Sequence, residues 1–316
     1  MSGICIYAEQ YDNQVENSAY ELVTAARELA AHSGETITAL VLGEDPEALA
    51  RQLSFHDVRV AAVKTGISAF QDDALCVCAA EALTALQPAC VLIPANRTCR
   101  ALFSRVAARL DMGLTADCST LYYDDRGEFL QKKSAFGENA MCVTAEVGTP
   151  KLVTVQVGIH TPSEPEETGG GMELLTVQEP VSGIEVFEVV ESTEESITGA
   201  ERIVSIGRGV LESGSLAEAQ ALAGKLGAVI GGTRPLVDDG TIPFERQIGQ
   251  TGCTVHPKIC LYLGVSGAIQ HTEGVRDPKL SIAVNKDPEA GIFGYVDYGV
   301  AADMTEVLRE LVKAYD

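Results

Sequence analysis

Four segments in the second half of the chain combine glycine with polar side chains that could bind a ligand. They are GGTRP (231–235), QIGQTG (247–252), GVSGAIQH (264–271) and VNKDP (284–288). Together they offer backbone amides, an arginine, a histidine, hydroxyls and side-chain amides, which are groups that hold phosphates and heterocycles. They contain no recurring nucleophile–base pair and no carboxylate dyad. The segments therefore indicate a dinucleotide site, and the sequence assigns no catalytic residue.

The segment GVSGAIQH follows the apolar run 259–263, which reads as a buried strand. A strand that turns through small residues into a helix leaves the first helical N–H groups unpaired. These groups and the helix dipole favour an anion, so the segment suggests a phosphate site. A tight strand-to-helix turn without a ligand explains the same octapeptide equally well, and the two readings stay open at this point.

The first 120 residues alternate between strand and helix patterns, which predicts βαβ units and a parallel sheet. The predicted strands are 4–7, 36–42, 58–63 and 90–94, and the predicted helices are 16–32, 45–53, 72–86 and 98–110. Further strands at 120–123, 129–134, 141–146 and 152–157 are joined by short turns, which is typical of an antiparallel addition. The segment 160–173 is rich in Pro, Glu and Gly and is predicted to be a surface loop.

The polar stretch 191–200 separates this half from a second α/β pattern, so we predict two α/β domains, 1–195 and 196–316. The second pattern has predicted strands at 202–206, 228–230, 261–264 and 280–284 and helices at 216–226 and 304–315. It lacks G-x-G-x-x-G, the usual nicotinamide-dinucleotide fingerprint. Ligands of open α/β sheets lie outside the carboxyl ends of the strands. We therefore expect the four polar segments to face one crevice.

Composition narrows the class of protein. The 316 residues carry a net charge of −22, which argues against a nucleic-acid partner. After residue 195 there are 11 Lys and Arg against 15 Asp and Glu, a net charge of −4, which leaves −18 for residues 1–195. No apolar stretch reaches membrane-spanning length, and the start of the chain does not resemble a secretion signal. The nine cysteines are scattered without a CxxC, which favours free thiols in a reducing cytoplasm and no metal site.

Several long motifs, in order along the chain, resemble the alpha subunit of electron-transfer flavoproteins. They are VLIPANRTCRALFSRVAARLDMGLTADC (91–118), TRP (233–235), QIGQTG (247–252), PKICLYLGVSGAIQHTEG (257–274), AVNKDP (283–288) and VDYGVAAD (296–303). The resemblance covers nearly the whole chain. It implies an N-terminal parallel-sheet domain similar to nucleotide hydrolases, with antiparallel additions, which contacts a partner subunit. It also implies a C-terminal doubly wound domain that binds FAD.

The same resemblance implies a function. The chain would pair with a beta subunit and carry electrons through FAD between a flavin dehydrogenase, such as an acyl-CoA dehydrogenase, and another redox carrier. It would act as an electron carrier subunit without converting a substrate itself. Whether the complex bifurcates electrons stays open, because this depends on the partner chain.

The family's site residues can be transferred to matching positions of this sequence. Ser266 and the backbone of Gly264, Gly267 and Ala268 would bind the FAD pyrophosphate, and Asn285 and Asp303 would hold the adenosine half. Gln270 would line the pocket, His271 would reach the O2 carbonyl of the flavin, and Thr251 would meet the ring near N5, with Gln247 and Gln250 in the same loop. Arg234 would lie over the isoalloxazine, with Thr233 beside it. A reduced flavin gains negative charge near N1 and O2, so a nearby arginine favours reduction.

Two positions depart from the family pattern: Cys253 stands where a lysine is usual, and Thr241 replaces an aromatic residue. The electrostatic potential and packing of the pocket would therefore differ from those of relatives. Two other classes of function remain as alternatives. One is a stand-alone flavin- or NAD-dependent reductase, which the missing fingerprint disfavours. The other is a nucleotide-binding sensor without redox activity, which would never take up flavin.

Overall fold

The computed structural model describes residues 3–135, 140–145, 148–189, 197–276 and 278–315. The chain forms two compact units, Met1–Val190 (unit 1) and Glu191–Asp316 (unit 2). The predicted domain boundary in 191–200 falls mostly outside the described residues. None of the helices in the described ranges is long and apolar enough to cross a membrane.

Unit 1 alternates strands and helices in its first half, as predicted. Its strands are β1 (Ile4–Tyr7), β2 (Gln10–Tyr11), β3 (Gln14–Val15), β4 (Ile37–Gly43), β5 (Val58–Lys64), β6 (Cys90–Pro94), β7 (Leu114–Cys118), β8 (Thr120–Tyr123), β9 (Phe129–Ala135), β10 (Ala140–Thr144), β11 (Lys151–Val155) and β12 (Met172–Leu175). Its helices are α1 (Asn17–Ser33), α2 (Pro46–Gln52), α3 (Asp72–Leu86) and α4 (Arg97–Leu110).

A seven-stranded parallel sheet, in the order β12-β5-β4-β1-β6-β11-β7, forms the centre of unit 1. Its central strands β1, β4 and β6 are buried on both faces. In β1, Ile4 and Ile6 pack into one apolar cluster while Cys5 and Tyr7 pack into the other. This two-sided burial explains why β1 reads as a continuous apolar run and not as an alternating pattern.

The strand β11 corrects the sequence-based prediction, which grouped 152–157 with the antiparallel strands. The structure inserts β11 between β6 and β7, parallel to both. Leu152, Val153 and Val155 are all buried, so this strand also belongs to a two-sided core. The antiparallel addition itself is confirmed as the sheet β10-β9-β8, although the predicted end of its last strand at residue 146 lies outside the described residues. The sequence prediction missed β7 and also β12, which begins inside the predicted surface loop 160–173.

Unit 2 has a second set of strands and helices, and most of them agree with the predicted ones. They are β13 (Arg202–Ile206), α5 (Arg208–Glu212), α6 (Leu216–Leu226), β14 (Val229–Gly232), α7 (Arg234–Asp238), β15 (Ile259–Leu263), α8 (Ile269–Thr272), β16 (Leu280–Asn285), β17 (Tyr298–Ala301) and α9 (Met304–Ala314), with 3₁₀ turns at Phe244–Arg246 and Gly291–Gly294. The short elements α5, α7 and β17 were not predicted, whereas α8 is the helix expected after the turn of GVSGAIQH.

The sheet of unit 2 is entirely parallel, in the order β14-β13-β15-β16-β17. On one face α6 and α9 contribute Leu222 and Leu308 to an apolar cluster. On the other face, segments that include Ile248, Val265 and Ile292 form a second cluster. The strand β17 lies at the edge and all four of its residues are exposed. The α/β class predicted for both halves is thus confirmed.

The central position of β6 predicts an unequal cost for two leucine truncations in the same sheet. Leu92 of β6 is fully buried, whereas Leu174 of the edge strand β12 is 52% exposed. We expect Leu92→Ala to lower the free energy of unfolding by about 2–5 kcal/mol. We expect Leu174→Ala to lower it by less than about 0.5 kcal/mol. Urea denaturation of both variants measures the difference, and equal losses would contradict the burial of β6 on both faces.

Candidate functional site

The strand order of unit 2 places a crevice between β13 and β15. From β13 the chain moves to β14 on one side and then returns to β15 on the other side. The loops that follow β13 and β15 therefore leave the carboxyl edge in opposite directions, which is where open α/β sheets bind ligands. A Cβ atom on Gly207 would lie 2.3 Å from the carbonyl oxygen of Gly264, so the two backbones touch at this point.

The turn after β15 contains the motif GVSGAIQH. Gly264 and Gly267 have φ angles of +62° and +87°, which glycine adopts without strain. The amide of Ile292 donates a hydrogen bond to the Ser266 carbonyl oxygen (3.1 Å), while the Ser266 side chain is exposed. The helix that follows, α8, is only four residues long. It is too short for an appreciable dipole, so an anion at this turn would depend on the backbone amides and the Ser266 hydroxyl.

The segment 247–252 lies directly against this motif. The amide of Gln250 donates to the carbonyl oxygen of Gln270 (2.7 Å), and a Cβ atom on Gly249 would lie 2.3 Å from the same oxygen. The buried Gln247 donates from Nε2 to Oγ1 of Thr251 (3.0 Å), whose side chain is exposed. Two of the four segments proposed from the sequence are therefore in contact. Within one of them, the buried Gln247 side chain holds the exposed Thr251 side chain by a hydrogen bond.

His271 is buried, and both of its ring nitrogens have partners within unit 2. Nδ1 lies 2.9 Å from the carbonyl oxygen of Ile248, and Nε2 lies 2.9 Å from Oγ of Ser205. Because a carbonyl oxygen only accepts, Nδ1 carries the proton and Nε2 accepts from the Ser205 hydroxyl. Burial lowers the pKa of His271 to about 4, so the ring is neutral near pH 7. A hydrogen bond from His271 to a flavin carbonyl would require one of these two bonds to break.

Two arginines stand at the same edge of the sheet. Arg234 is the first residue of α7; its exposed guanidinium has Nε 3.5 Å from an oxygen of Asp238. The preceding Thr233 donates its amide to the carbonyl oxygen of Ile206 (3.0 Å), which ties this loop to β13. Arg208 was missed by the sequence prediction. It is the exposed first residue of α5, shortly after β13, and the signal for it was the GRG triplet that follows an apolar strand.

The residues assigned to the adenosine half lie further along the edge. Asn285, at the end of β16, donates from Nδ2 to the carbonyl oxygen of Val265 (2.8 Å) and so supports the turn after β15. Asp303 follows β17 and caps α9 by accepting from the amide of Thr305 (2.9 Å). Neighbouring strands are about 4.8 Å apart, so β14 to β17 spans roughly 19 Å. The edge is thus long enough for an extended ligand.

Unit 1 contains a separate group of ionisable side chains. His56 Nδ1 lies 2.5 Å from Oε2 of Glu166, and Asp57 is close to both. Arg27 contacts the carboxylates of Asp57 (2.6 Å) and Glu166 (3.0 Å). Because the guanidinium of Arg27 already pairs with both carboxylates, we read this group as an ion-pair network and assign no metal to it.

Unit 2 therefore defines a class of protein: a parallel α/β domain with a glycine-lined crevice at its switch point and polar loops along the carboxyl edge, typical of dinucleotide binding. Comparison with known proteins agrees. Residues 196–276 match the electron transfer flavoprotein FAD-binding domain, and residues 4–181 match the electron transfer flavoprotein domain.

Three relatives are similar over 98% of this chain. Lactate dehydrogenase (NAD(+),ferredoxin) subunit LctC of Acetobacterium woodii is 34% identical, with 76% of its length covered. Acryloyl-CoA reductase electron transfer subunit beta of Anaerotignum propionicum is 32% identical, with 95% covered. Electron transfer flavoprotein subunit alpha of Thermoanaerobacterium thermosaccharolyticum is 32% identical, with 96% covered. The chain belongs to the electron-transfer flavoprotein alpha-subunit family, and it transfers electrons through bound FAD.

The residues of the crevice fit this cofactor. The glycine contact between Gly207 and Gly264 leaves the switch point without side chains, so a phosphate group can approach the backbone. Hydroxyl and amide groups surround it on exposed residues: Gln250, Thr251, Ser266 and Gln270. When bound, the isoalloxazine of FAD supplies the one- and two-electron chemistry that none of these side chains provides.

The lowered pKa of His271 predicts how the stability of unit 2 depends on pH. In the unfolded chain this histidine takes up a proton below about pH 6.5, whereas in the folded unit it stays neutral until about pH 4. Acidification across that window therefore favours unfolding, at a cost of up to about 3 kcal/mol near pH 4. His271→Asn keeps an N–H donor near Ile248 but removes the titrating group. We expect its free energy of unfolding to fall less than that of the wild type between pH 7 and pH 4.5, as measured by urea denaturation; an equal fall would contradict a buried neutral ring.

Proposed function

We propose that this chain is the alpha subunit of a heterodimer that passes electrons between a flavin dehydrogenase and a second redox carrier, without converting a substrate itself. The observation that carries the proposal is the crevice of unit 2, whose polar side chains converge at the switch point of a parallel sheet. The nine thiols are free, which supports the proposal that the protein works in the reducing cytoplasm.

The proposed FAD site follows the carboxyl edge of the sheet. The pyrophosphate binds the turn 264–268 through backbone amides and the Ser266 hydroxyl, and Gln270 lines the pocket. The flavin ring lies beside Gln250 and Thr251, with Thr251 near N5 and Arg234 and Thr233 on the side of β14. The adenosine half extends toward Asn285 and Asp303. His271 and Gln247 lie below this surface because both are buried.

The proposed dehydrogenase acts on a CoA thioester. This class is supported by the name of one relative, the acryloyl-CoA reductase subunit. The name of another relative, the lactate dehydrogenase subunit, points to a 2-hydroxy acid instead. A dehydrogenase of either class, together with its substrate, can be mixed with the same heterodimer preparation. The electron donor can therefore be tested directly.

The exposure of the crevice predicts that FAD affinity depends on the partner. Gln250, Thr251, Ser266 and Gln270 are exposed, so water reaches any ring bound beside them. A beta subunit that covers the crevice would add contacts and exclude water. We expect FAD to bind the isolated chain at least tenfold more weakly than the heterodimer, as measured by fluorescence titration with and without the beta subunit.

Reduction of the bound flavin tests the donor in the same preparation. An acyl-CoA dehydrogenase with its thioester substrate should bleach the flavin absorbance, whereas lactate with a lactate dehydrogenase should not. Bleaching by the second pair alone would replace the proposed donor class. Equal FAD affinities with and without the beta subunit would contradict the covering role of the partner.

The proposed position of Arg234 over the flavin ring predicts that replacing this residue changes the reduction potential of the flavin. A guanidinium about 4 Å from a reduced ring would stabilise its negative charge by roughly 1–4 kcal/mol, depending on solvent access. Arg234→Ala should therefore keep FAD bound but lower the first reduction potential by an amount on the order of 100 mV. Arg234→Lys should fall between, because an ammonium cannot stack flat on the ring. Loss of FAD with an unchanged potential in the retained fraction would instead make Arg234 a phosphate anchor.

A further inference from the structure

Ser205 is a polar residue in the middle of an apolar strand. It lies in β13 between Val204 and Ile206 and is fully buried. A buried hydroxyl needs a hydrogen-bond partner, and the partner of Ser205 is Nε2 of His271, 66 residues away in the sequence and 2.9 Å away in space. Neither the family motifs nor the sequence pattern gave Ser205 a role.

These groups form a directed chain of hydrogen bonds. The Ser205 hydroxyl donates to Nε2 of His271, and Nδ1 of the same ring donates to the carbonyl oxygen of Ile248 (2.9 Å). Ile248 belongs to the segment 247–252, and its amide donates to the carbonyl oxygen of Gly232 (2.9 Å). His271 therefore links strand β13 to the segment that carries Gln250 and Thr251.

A hydroxyl can donate or accept, so the direction of this chain is set by the carbonyl oxygen of Ile248, which only accepts and keeps the proton on Nδ1. Without the Ser205 hydroxyl, Nε2 would be a buried acceptor that lacks a donor, which costs about 1–3 kcal/mol. The other neutral tautomer, with the proton on Nε2, would turn the Nδ1 lone pair toward the carbonyl oxygen of Ile248. Two acceptors would then face each other, and the segment 247–252 would lose its attachment to His271.

We propose that Ser205 is a positioning residue that holds the His271 ring by a hydrogen bond to Nε2 and thereby sets the position of the segment 247–252 against the bound flavin. This inference rests on the proposed placement of the flavin ring beside Gln250 and Thr251. Ser205 itself does not contact the cofactor. It acts through His271 and Ile248, so its effect on FAD is indirect and should appear together with a change in the imidazole.

Nitrogen NMR of the imidazole tests the proposal without any cofactor. In ¹⁵N-histidine-labelled full-length chain, we expect His271 to show a neutral ring protonated at Nδ1 throughout pH 5.5–8. In Ser205→Ala the ring should keep its proton on Nδ1, because the Ile248 carbonyl still accepts it, and the Nε2 resonance should move to that of an acceptor without a hydrogen bond. In the heterodimer, the dissociation constant for FAD should rise about tenfold in Ser205→Ala, and Ser205→Thr, which keeps the hydroxyl, should recover most of the affinity.

Ser281→Ala is the matched control, because Ser281 is also a buried serine of this sheet. Its Oγ donates to Oδ2 of Asp297 (2.7 Å), away from His271. It should leave the His271 spectrum unchanged and the FAD affinity within about twofold. Equal loss of FAD affinity in both alanine variants would show a general stability effect and overturn the proposal.

If Ser205→Ala does not fold, the nitrogen spectrum of the wild-type chain still tests the proposal. A wild-type ring protonated at Nε2, or one that titrates like a solvent-exposed histidine, would overturn the proposal. So would a Ser205→Ala variant that keeps both the spectrum and the affinity of the wild type. Failure of the wild-type heterodimer to bind FAD would overturn the proposed function and, with it, the link to the flavin, whereas the spectrum would still decide how Ser205 acts on His271.

Discussion

The backbone contact between Gly207 and Gly264 is the constraint on which the crevice of unit 2 depends. The loops after β13 and β15 can leave the sheet in opposite directions only if they separate from a common point. A side chain on either glycine would overlap the backbone of the other loop, since a Cβ atom on Gly264 would also lie 2.8 Å from Cα of Gly209. Glycine at these positions thus determines where the crevice opens, whatever polar residues line it. The same absence of side chains lets a cofactor approach the main chain closely.

Unit 1 has the same winding order and uses its switch point differently. There the chain passes from β1 to β4 on one side and later to β6 on the other. The loop after β1 carries Glu9, whose carboxylate is hydrogen-bonded by the side chain of Asn96, the N-cap of α4. Burial raises the pKa of Glu9 above its usual range. In unit 1 a partly buried carboxylate of the chain itself therefore stands at the switch point. The shared topology does not make the two crevices equivalent.

Local patterns in the sequence predicted most strands of both units and all four polar segments near the crevice. They did not predict that β11 enters the parallel sheet. An apolar run indicates a strand, but it does not indicate which other strands will pair with it. The same patterns indicated a helix after the turn of GVSGAIQH but not where it ends. That helix ends after one turn, since Gly274 must approach the backbone of Gly249: a Cβ atom on Gly274 would lie 2.2 Å from the Gly249 amide nitrogen. The partners of His271 come from Ser205 and Ile248, which are distant in sequence, so only the folded structure reveals them.

The edge strand β17 has a consequence for the behaviour of the chain at high concentration. It is four residues long and exposed, with Tyr298 and Val300 facing solvent, so its outer side is a template for another strand. Carboxylates stand close to both of its ends, Asp297 before it and Asp303 after it. If two copies joined edge to edge in antiparallel fashion, Asp297 of one copy would approach Asp303 of the other at each end. The mutual repulsion of these like charges opposes the pairing of two copies through this edge.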